Sequence, residues 1–352
     1  MKTTPLLVKK IRSNGLDGFI VSSKGNITYL TQFPNPDAYL LVASNGLTYF
    51  TDSRYTHQAQ RELRGIARLK KINGSAFKLI AQSCAELGLK RIGFEERDLP
   101  YAEYKKINSC LKTGSYLVPT HGIIEELRET KKAGEIAKIK KALKITALAM
   151  EFIRDFIRPG VSELEIAAEL ERFIRYQGAI GSAFDIIVAF GENSCHPHHL
   201  PTARRMKEND IVLIDAGVEY LGYKSDLTRV FFLGKINTLA RRIYALVLKA
   251  QEMAIKKIKP GARAAFIDAA SRKYIAGKGY GNYFMHSLGH GVGVNIHEDP
   301  SISSKSEDIL KEGMVFTVEP AIYLPGKFGI RIEDMVLVTK KGCEVLSGSI
   351  NK

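Results

Sequence analysis

The chain has 352 residues, 45% hydrophobic and 25% charged, and Lys plus Arg exceed Asp plus Glu by 15. That length exceeds one ordinary core and suits two domains; Cys84, Cys110, Cys195 and Cys343 are scattered without a C-x-x-C pair, which argues against a disulfide framework or a cysteine-rich zinc module. The basic excess lies in isolated pairs such as Lys70-Lys71 and Arg204-Arg205 along both halves, so a solvated basic surface is expected rather than a nucleic-acid partner. The apolar patch 6–8 is too short for a signal peptide, no run could span a membrane, and a cytoplasmic setting is expected.

Residues 18–23, 38–43, 47–51 and 92–95 read as short strands, with Asn45-Gly46 turning a hairpin between the second and third. Helical patterns lie around 54–64, 75–88 and 100–112. This is a small α/β domain without a phosphate-binding glycine fingerprint or a catalytic constellation. Its boundary is expected near 128–134, dividing the chain into 1–127 and 128–352. A long amphipathic helix follows, in which Ile136, Ile139, Leu143, Met150, Ile153 and Ile157 recur at helical spacing until Pro159-Gly160 stops it. That stripe is core.

Beyond the helix the chain repeats itself. Ile157-Arg-Pro-Gly160 recurs as Ile258-Lys-Pro-Gly261, and at the same offset Ile166 matches Ile267, Ala168 matches Ala269, Ile174 matches Ile275 and Gly178 matches Gly279. The strand ending in Asp215 answers the one ending in Glu319, Asp226 answers Glu333, and His198 answers His297. Two similar halves would thus each carry two carboxylates to one central site.

Asp215 ends the apolar run 211–214 and Glu319 the run 315–318, so both are carried by buried strands. A buried carboxylate costs several kcal/mol unless compensated, and several together repel one another, which divalent cations relieve. The spacing of Asp215 and Asp226 suits two adjacent strands joined by a tight connection; Glu319 and Glu333 form the equivalent pair. His290 lies among glycines in Gly289-His-Gly-Val-Gly293, where the backbone can approach a ligand closely. One imidazole with four carboxylates favours Mn, Fe, Co or Zn over Ca, and two such ions would hold a hydroxide for metal-assisted hydrolysis, with Glu319 as proton shuttle. His198 and His297 are candidate partners of substrate and intermediate. His286 would support His290 from one turn away if that stretch is helical, and Arg331 would bond a carboxylate or a substrate terminus unless it is an ordinary surface arginine. The cluster Cys195-His-Pro-His-His199 is too compact to wrap one tetrahedral ion.

Six segments, Ile214-Asp-Ala-Gly217, Ser225-Asp-Leu-Thr-Arg229, His286-Ser-Leu-Gly-His-Gly-Val-Gly293, Ile296-His-Glu298, Val318-Glu-Pro-Ala-Ile-Tyr323 and Arg331-Ile-Glu-Asp334, resemble those of the pita-bread metallopeptidases. That family includes aminopeptidase P, Xaa-Pro dipeptidase (prolidase) and methionine aminopeptidase. Asn26-Ile-Thr-Tyr-Leu30 and Asp52-Ser-Arg-Tyr55 resemble the creatinase-type N-terminal domain of its proline-directed members. The fold implied is an α/β creatinase-like domain followed by an α+β pita-bread catalytic domain with an internal pseudo-twofold repeat. By the same resemblance Asp215, Asp226, His290, Glu319 and Glu333 would ligate two divalent ions, Mn or Co foremost with Zn or Fe as alternatives, and Asp226 and Glu333 would bridge them. His198 and His297 would contact substrate and intermediate, Arg331 would support the site, and the assembly would be a homodimer. All five ligands stand, which argues against the metal-free creatinase branch. His199-Leu-Pro201 and Val218 depart from the family's commonest pattern and leave the shape of the substrate pocket open.

The expected activity is therefore metal-dependent hydrolysis of the bond between an N-terminal residue and proline, as an aminopeptidase or a dipeptidase. The contrasting expectation is a non-catalytic binding module of the same fold that uses its basic surface for nucleic acid or protein; the complete ligand set argues against it.

Overall fold

A computed structural model describes residues 3–34, 37–348, 350 and 352, and the chain divides into two compact units, Met1–Arg128 and Glu129–Lys352. The first unit is a six-stranded mixed sheet in the order Arg68–Lys71, Gly46–Thr51, Tyr39–Ala43, Gly18–Val21, Arg91–Glu95, Tyr116–Thr120. Its inner strands are apolar and buried, Gly18–Val21 along its whole length. Ala43 pairs with Gly46 across the hairpin, whose glycine adopts a φ of 114°. Helices Thr56–Glu62, Ala76–Glu86 and Tyr101–Cys110 lie where the periodicity places them.

Among the described residues, two strands and three helices of this unit escape the sequence pattern, one of the helices being the short Glu125–Glu129 at its end. Arg68–Lys71 and Tyr116–Thr120 are the sheet's edges, one mostly charged and one carrying Pro119, and only an edge accepts such residues. The helix Thr3–Ser13 has a narrow apolar stripe, and the helix Lys24–Thr31 is rich in poor helix formers. The second is held instead by Glu95, whose buried carboxylate accepts from Ser22 N at 2.6 Å, Ser23 N at 2.7 Å and Asn26 Nδ2 at 2.6 Å. Burial raises that carboxyl to about 7 in spite of those bonds.

In the second unit the repeat is visible as matched elements. Helices Ala133–Ile153 and Glu163–Tyr176 precede the antiparallel strands Ile187–Phe190, Ile211–Asp215 and Thr228–Phe232. Helices Thr238–Ile255 and Ala264–Gly277 precede Gly289–Gly291, Val315–Val318 and Asp334–Val338, which with Glu298–Ile302 and Cys343–Val345 complete a five-stranded sheet. The two Pro-Gly breaks are tied down alike: Gly160 N donates to Met206 O at 2.9 Å and Gly261 N to Leu310 O at 2.8 Å. Isolated bridges pair Ser162 with Arg205 and Arg263 with Ile309.

Two expectations need correction. The long helix ends at Ile153, followed by a 3-10 turn Arg154–Phe156, because the residues before Pro159 turn away from helical geometry; Ile157 lies outside it. Asp215 and Asp226 are not joined by a bare turn. The intervening residues form a small hairpin, Val218–Tyr220 with Tyr223–Lys224, that adds to Gly181–Ser182. Its counterpart in the second half is the hairpin Ala321–Leu324 with Phe328–Arg331.

Candidate metal centre

Strand register delivers the carboxylates. Asp215 stands opposite Thr228, two residues beyond Asp226, while Val318, just before Glu319, stands opposite Asp334, just after Glu333. Glu333 N donates to Thr228 O at 3.4 Å, joining the two strand pairs where their carboxylates meet. His290 comes from the strand Gly289–Gly291, at a bulge between His290 and Gly291. A Cβ on Gly289 would collide with the Thr317 carbonyl and one on Gly291 with Asp299, so the glycines let this strand lie close enough to present the imidazole. All five residues line one cavity of about 500 Å³.

Inside it, ligand atoms of Asp226, His290 and Glu333 lie within 4.8 Å of one another, and His290 Nε2 is 3.5 Å from Asp226 and 3.4 Å from Glu319. Burial, then the charges of Glu333, Asp215 and Glu319, push the Asp226 carboxyl well above the ordinary range; Glu333 is raised in the same way by burial, Asp215 and Glu319. Glu319 is raised to about 8, mainly by burial. Burial holds His290 below its ordinary value, which leaves a neutral imidazole as a nitrogen donor. Asp215 Oδ1 is buried without a hydrogen bond. Four clustered carboxyls, a neutral imidazole and an orphaned carboxylate oxygen are a donor set that fits divalent cations.

The other predicted residues reach the same cavity. His198 is exposed on its wall, and His297 packs edge-to-face on His290 with ring centroids 4.2 Å apart. Arg331 is buried rather than on the surface. It donates to Asp215 Oδ2 at 2.6 Å, to the Tyr323 hydroxyl at 2.6 Å and to Thr228 Oγ1 at 3.0 Å. Burial works against its charge, but Tyr323, Asp215, Glu319 and Glu333 outweigh burial and keep it protonated. His286 is not one helical turn from His290, since strand and coil occupy that stretch. Its Nε2 instead lies 3.1 Å from the Tyr323 hydroxyl and its Nδ1 4.0 Å from Glu319; burial lowers its pKa to about 4.

Three hydroxyls of the site were not singled out in the sequence. Thr228 donates to Glu333 Oε2 at 2.7 Å, Thr317 to Glu319 Oε1 at 3.0 Å, and Tyr323 connects Arg331 to His286. Tyr323 and Thr228 sit inside the segments that carry the family resemblance, which was the available signal.

Comparisons with known proteins identify the family. The model of metallopeptidase family M24 matches residues 137–340, and that of the creatinase/prolidase N-terminal domain matches residues 6–130. The chain is 34% identical to an Xaa-Pro dipeptidase of Pyrococcus horikoshii over 343 residues, covering 97% of this chain and 95% of that protein. An Xaa-Pro dipeptidase structure from Bacillus anthracis is similar at TM-score 0.94, with 38% identity and 99% of each chain covered. An X-Pro aminopeptidase structure from Thermotoga maritima is similar at TM-score 0.89, with 36% identity, covering 96% of this chain and 97% of that one. With a fold matched over nearly the whole chain, a creatinase-like first domain and a carboxylate-rich cavity, the chain belongs to metallopeptidase family M24 and is a hydrolase.

Proposed function

We propose that the chain is a dinuclear metallo-exopeptidase that cleaves the bond between an N-terminal residue and proline. The observation that carries this reading is the convergence of Asp215, Asp226, His290, Glu319 and Glu333 on one cavity, in a chain whose relatives include Xaa-Pro peptidases matched over nearly all of their length. These five residues would hold two divalent ions, Mn or Co foremost. Bound ions would supply Lewis acidity and a water acidic enough to act as nucleophile at neutral pH.

The chain's own groups do the rest. Glu319, bonded by Thr317 and close to His290, takes the proton from the attacking water and returns it to the leaving proline nitrogen. His297 and His198, on the cavity wall, hold the substrate carbonyl and its tetrahedral successor. Arg331 holds Asp215 Oδ2 and the Tyr323 hydroxyl in place by donating to both. An Xaa-Pro bond has no N–H, so a peptidase that needs that donor handles it poorly, and a dedicated pocket is chemically reasonable.

The test compares an Xaa-Pro dipeptide, an Xaa-Pro-Xaa tripeptide and an Xaa-Ala control, using metal-stripped protein refilled with Mn, Co or Zn. Turnover of the proline substrates alone, abolished in Asp215→Ala and Glu333→Ala, is expected, and the dipeptide-to-tripeptide ratio separates dipeptidase from aminopeptidase. No turnover with any ion, together with salt-sensitive nucleic-acid binding, would replace this reading with the binding module. The expected assembly is a homodimer, measurable by light scattering.

A further inference from the structure

His198 occupies an exposed place on the wall of the cavity, on a stretch with little regular structure. Between the 3-10 turn Gly191–Cys195 and the strand Ile211–Asp215 the described chain forms no helix or strand, only the isolated bridge of Arg205 with Ser162; its backbone bonds to neighbouring elements, Leu164 N to Thr202 O at 3.2 Å and Gly160 N to Met206 O at 2.9 Å among them, lie at Thr202 and beyond, which leaves 196–201 without such support. Such a segment samples many conformations unless something outside it fixes the backbone. Behind it stands Glu163, the first residue of the helix Glu163–Tyr176 and fully buried.

Every lone pair of that carboxylate is used on this segment and the strand before it. Oε1 accepts from Phe190 N and Asn193 Nδ2, both at 2.9 Å. Oε2 accepts from Thr202 N at 2.9 Å, Thr202 Oγ1 at 2.6 Å and His199 Nε2 at 2.9 Å. The donors lie on both sides of His198. Burial pushes the Glu163 carboxyl up, but the bonds from His199, Thr202, Phe190 and Asn193 outweigh it and hold the group below its ordinary range. Its place in a helix's first turn also favours the negative charge. From the opposite side Gly329 N donates to Ser194 Oγ at 2.8 Å and Arg331 Nη1 reaches Pro197 O at 3.4 Å.

We propose that Glu163 is a positioning residue for the reaction: through Asn193, His199 and Thr202 it clamps the segment 193–202 and so fixes His198 against the substrate. The clamp gives His199, which departs from the family's commonest residue at that place, a defined task. This assignment rests on the peptidase reading for the role of His198, but the clamp itself can be tested without it.

Cys195 lies in the clamped segment and is partly exposed, as are Cys110 and Cys343 elsewhere. The experiment compares wild type, His199→Ala, Thr202→Val and the conservative His199→Gln. It measures the rate at which each cysteine is labelled by a soluble maleimide, read by peptide mass mapping, together with Tm, metal content, kcat and KM. In His199→Ala, Cys195 labelling is expected to rise about tenfold with Cys110 and Cys343 unchanged, and kcat to fall roughly tenfold or more with metal content intact, since small misplacements of a reacting group are costly. His199→Gln, which keeps a donor, should restore both. Unchanged Cys195 labelling, a rise shared by all the cysteines, or a freed Cys195 with unaltered kcat would overturn the proposal. If wild type cleaves no Xaa-Pro peptide, the peptidase reading falls and with it the role given to His198, while Cys195 labelling still decides whether the clamp exists.

Discussion

Arg331 and Asp215 face each other at 2.6 Å inside the cavity, Nη2 donating to Oδ2. The same guanidinium spends Nη1 on Tyr323 and Nε on Thr228, so one side chain fixes a carboxylate, a phenol and, through Thr228, Glu333. Lysine would keep the charge but could not supply three directed bonds from one plane. Arg331→Lys is therefore expected to lose about 10- to 100-fold in activity or metal affinity, the usual cost of removing a group that orients metal ligands. Arg331→Ala should lose more, because it leaves Asp215 buried without its partner. Steady-state kinetics with metal titration by calorimetry checks both; a lysine variant with wild-type kcat and metal affinity would remove Arg331 from the site.

The crowding of acids sets the stability of the metal-free protein. Asp226 and Glu333 are raised well above their ordinary values and Glu319 to about 8, so between their unfolded and folded pKa values the native state binds more protons than the unfolded chain. Stability from these groups is full at low pH and is lost as pH rises through the folded values. The lowered His286, His290 and His297 act with the opposite sign, but only below the ordinary histidine range. From pH 6.5 to 8, then, the Tm of EDTA-stripped protein should fall, and saturating Mn should abolish most of that slope. Glu95, raised to about 7 and part of the first unit, is expected to leave a residual slope that metal does not touch. Glu333→Gln removes one of the repelling acids yet keeps an acceptor for Thr228; it should raise the metal-free Tm, by roughly 2–4 °C for each kcal/mol relieved, while abolishing activity. A metal-free Tm that rises over this pH window would contradict the account.

What the sequence made legible, and what it hid, follows from how each residue departs from its surroundings. Asp215 and Glu319 stand at the ends of apolar runs where a charge has no structural reason to be, so the site could be read from them. Thr228, Thr317 and Tyr323 do not stand out in this way, because a hydroxyl on a buried strand is an ordinary β residue until its partner is known; only the family resemblance of their segments points to Thr228 and Tyr323. Glu163 was hidden differently: following Ser162 and two residues before Glu165, it looks like part of a helix start, and Ser162 and Glu165 do form a capping box. Only the fold brings residues 193–202 onto it. The edge strands Arg68–Lys71 and Tyr116–Thr120 were obscure because an edge needs no alternating apolar face.

The second unit also holds an ion pair away from the carboxylate cluster that bears on His297. Lys131 Nζ lies 2.8 Å from Glu298 Oε1, with the two side chains only 1% and 7% exposed. Glu298 follows His297 directly, and its carboxylate packs where a Cβ on Gly293 would stand, with Oε2 accepting from Asn295 N at 3.3 Å. The pair thus holds the turn that presents His297. Breaking a buried pair from one side costs about 3–5 kcal/mol, because the remaining charge is stranded, whereas replacing both partners is far milder. Lys131→Met should therefore lower stability by about that amount in urea unfolding. The double variant Lys131→Met with Glu298→Gln should recover most of it, since the amide needs no counter-charge. Activity separates packing from positioning: if the turn is held by the ion pair, kcat stays reduced in the double variant although stability returns. Equal recovery of both would mean that the charge, and not the direction it imposes on His297, is all that matters.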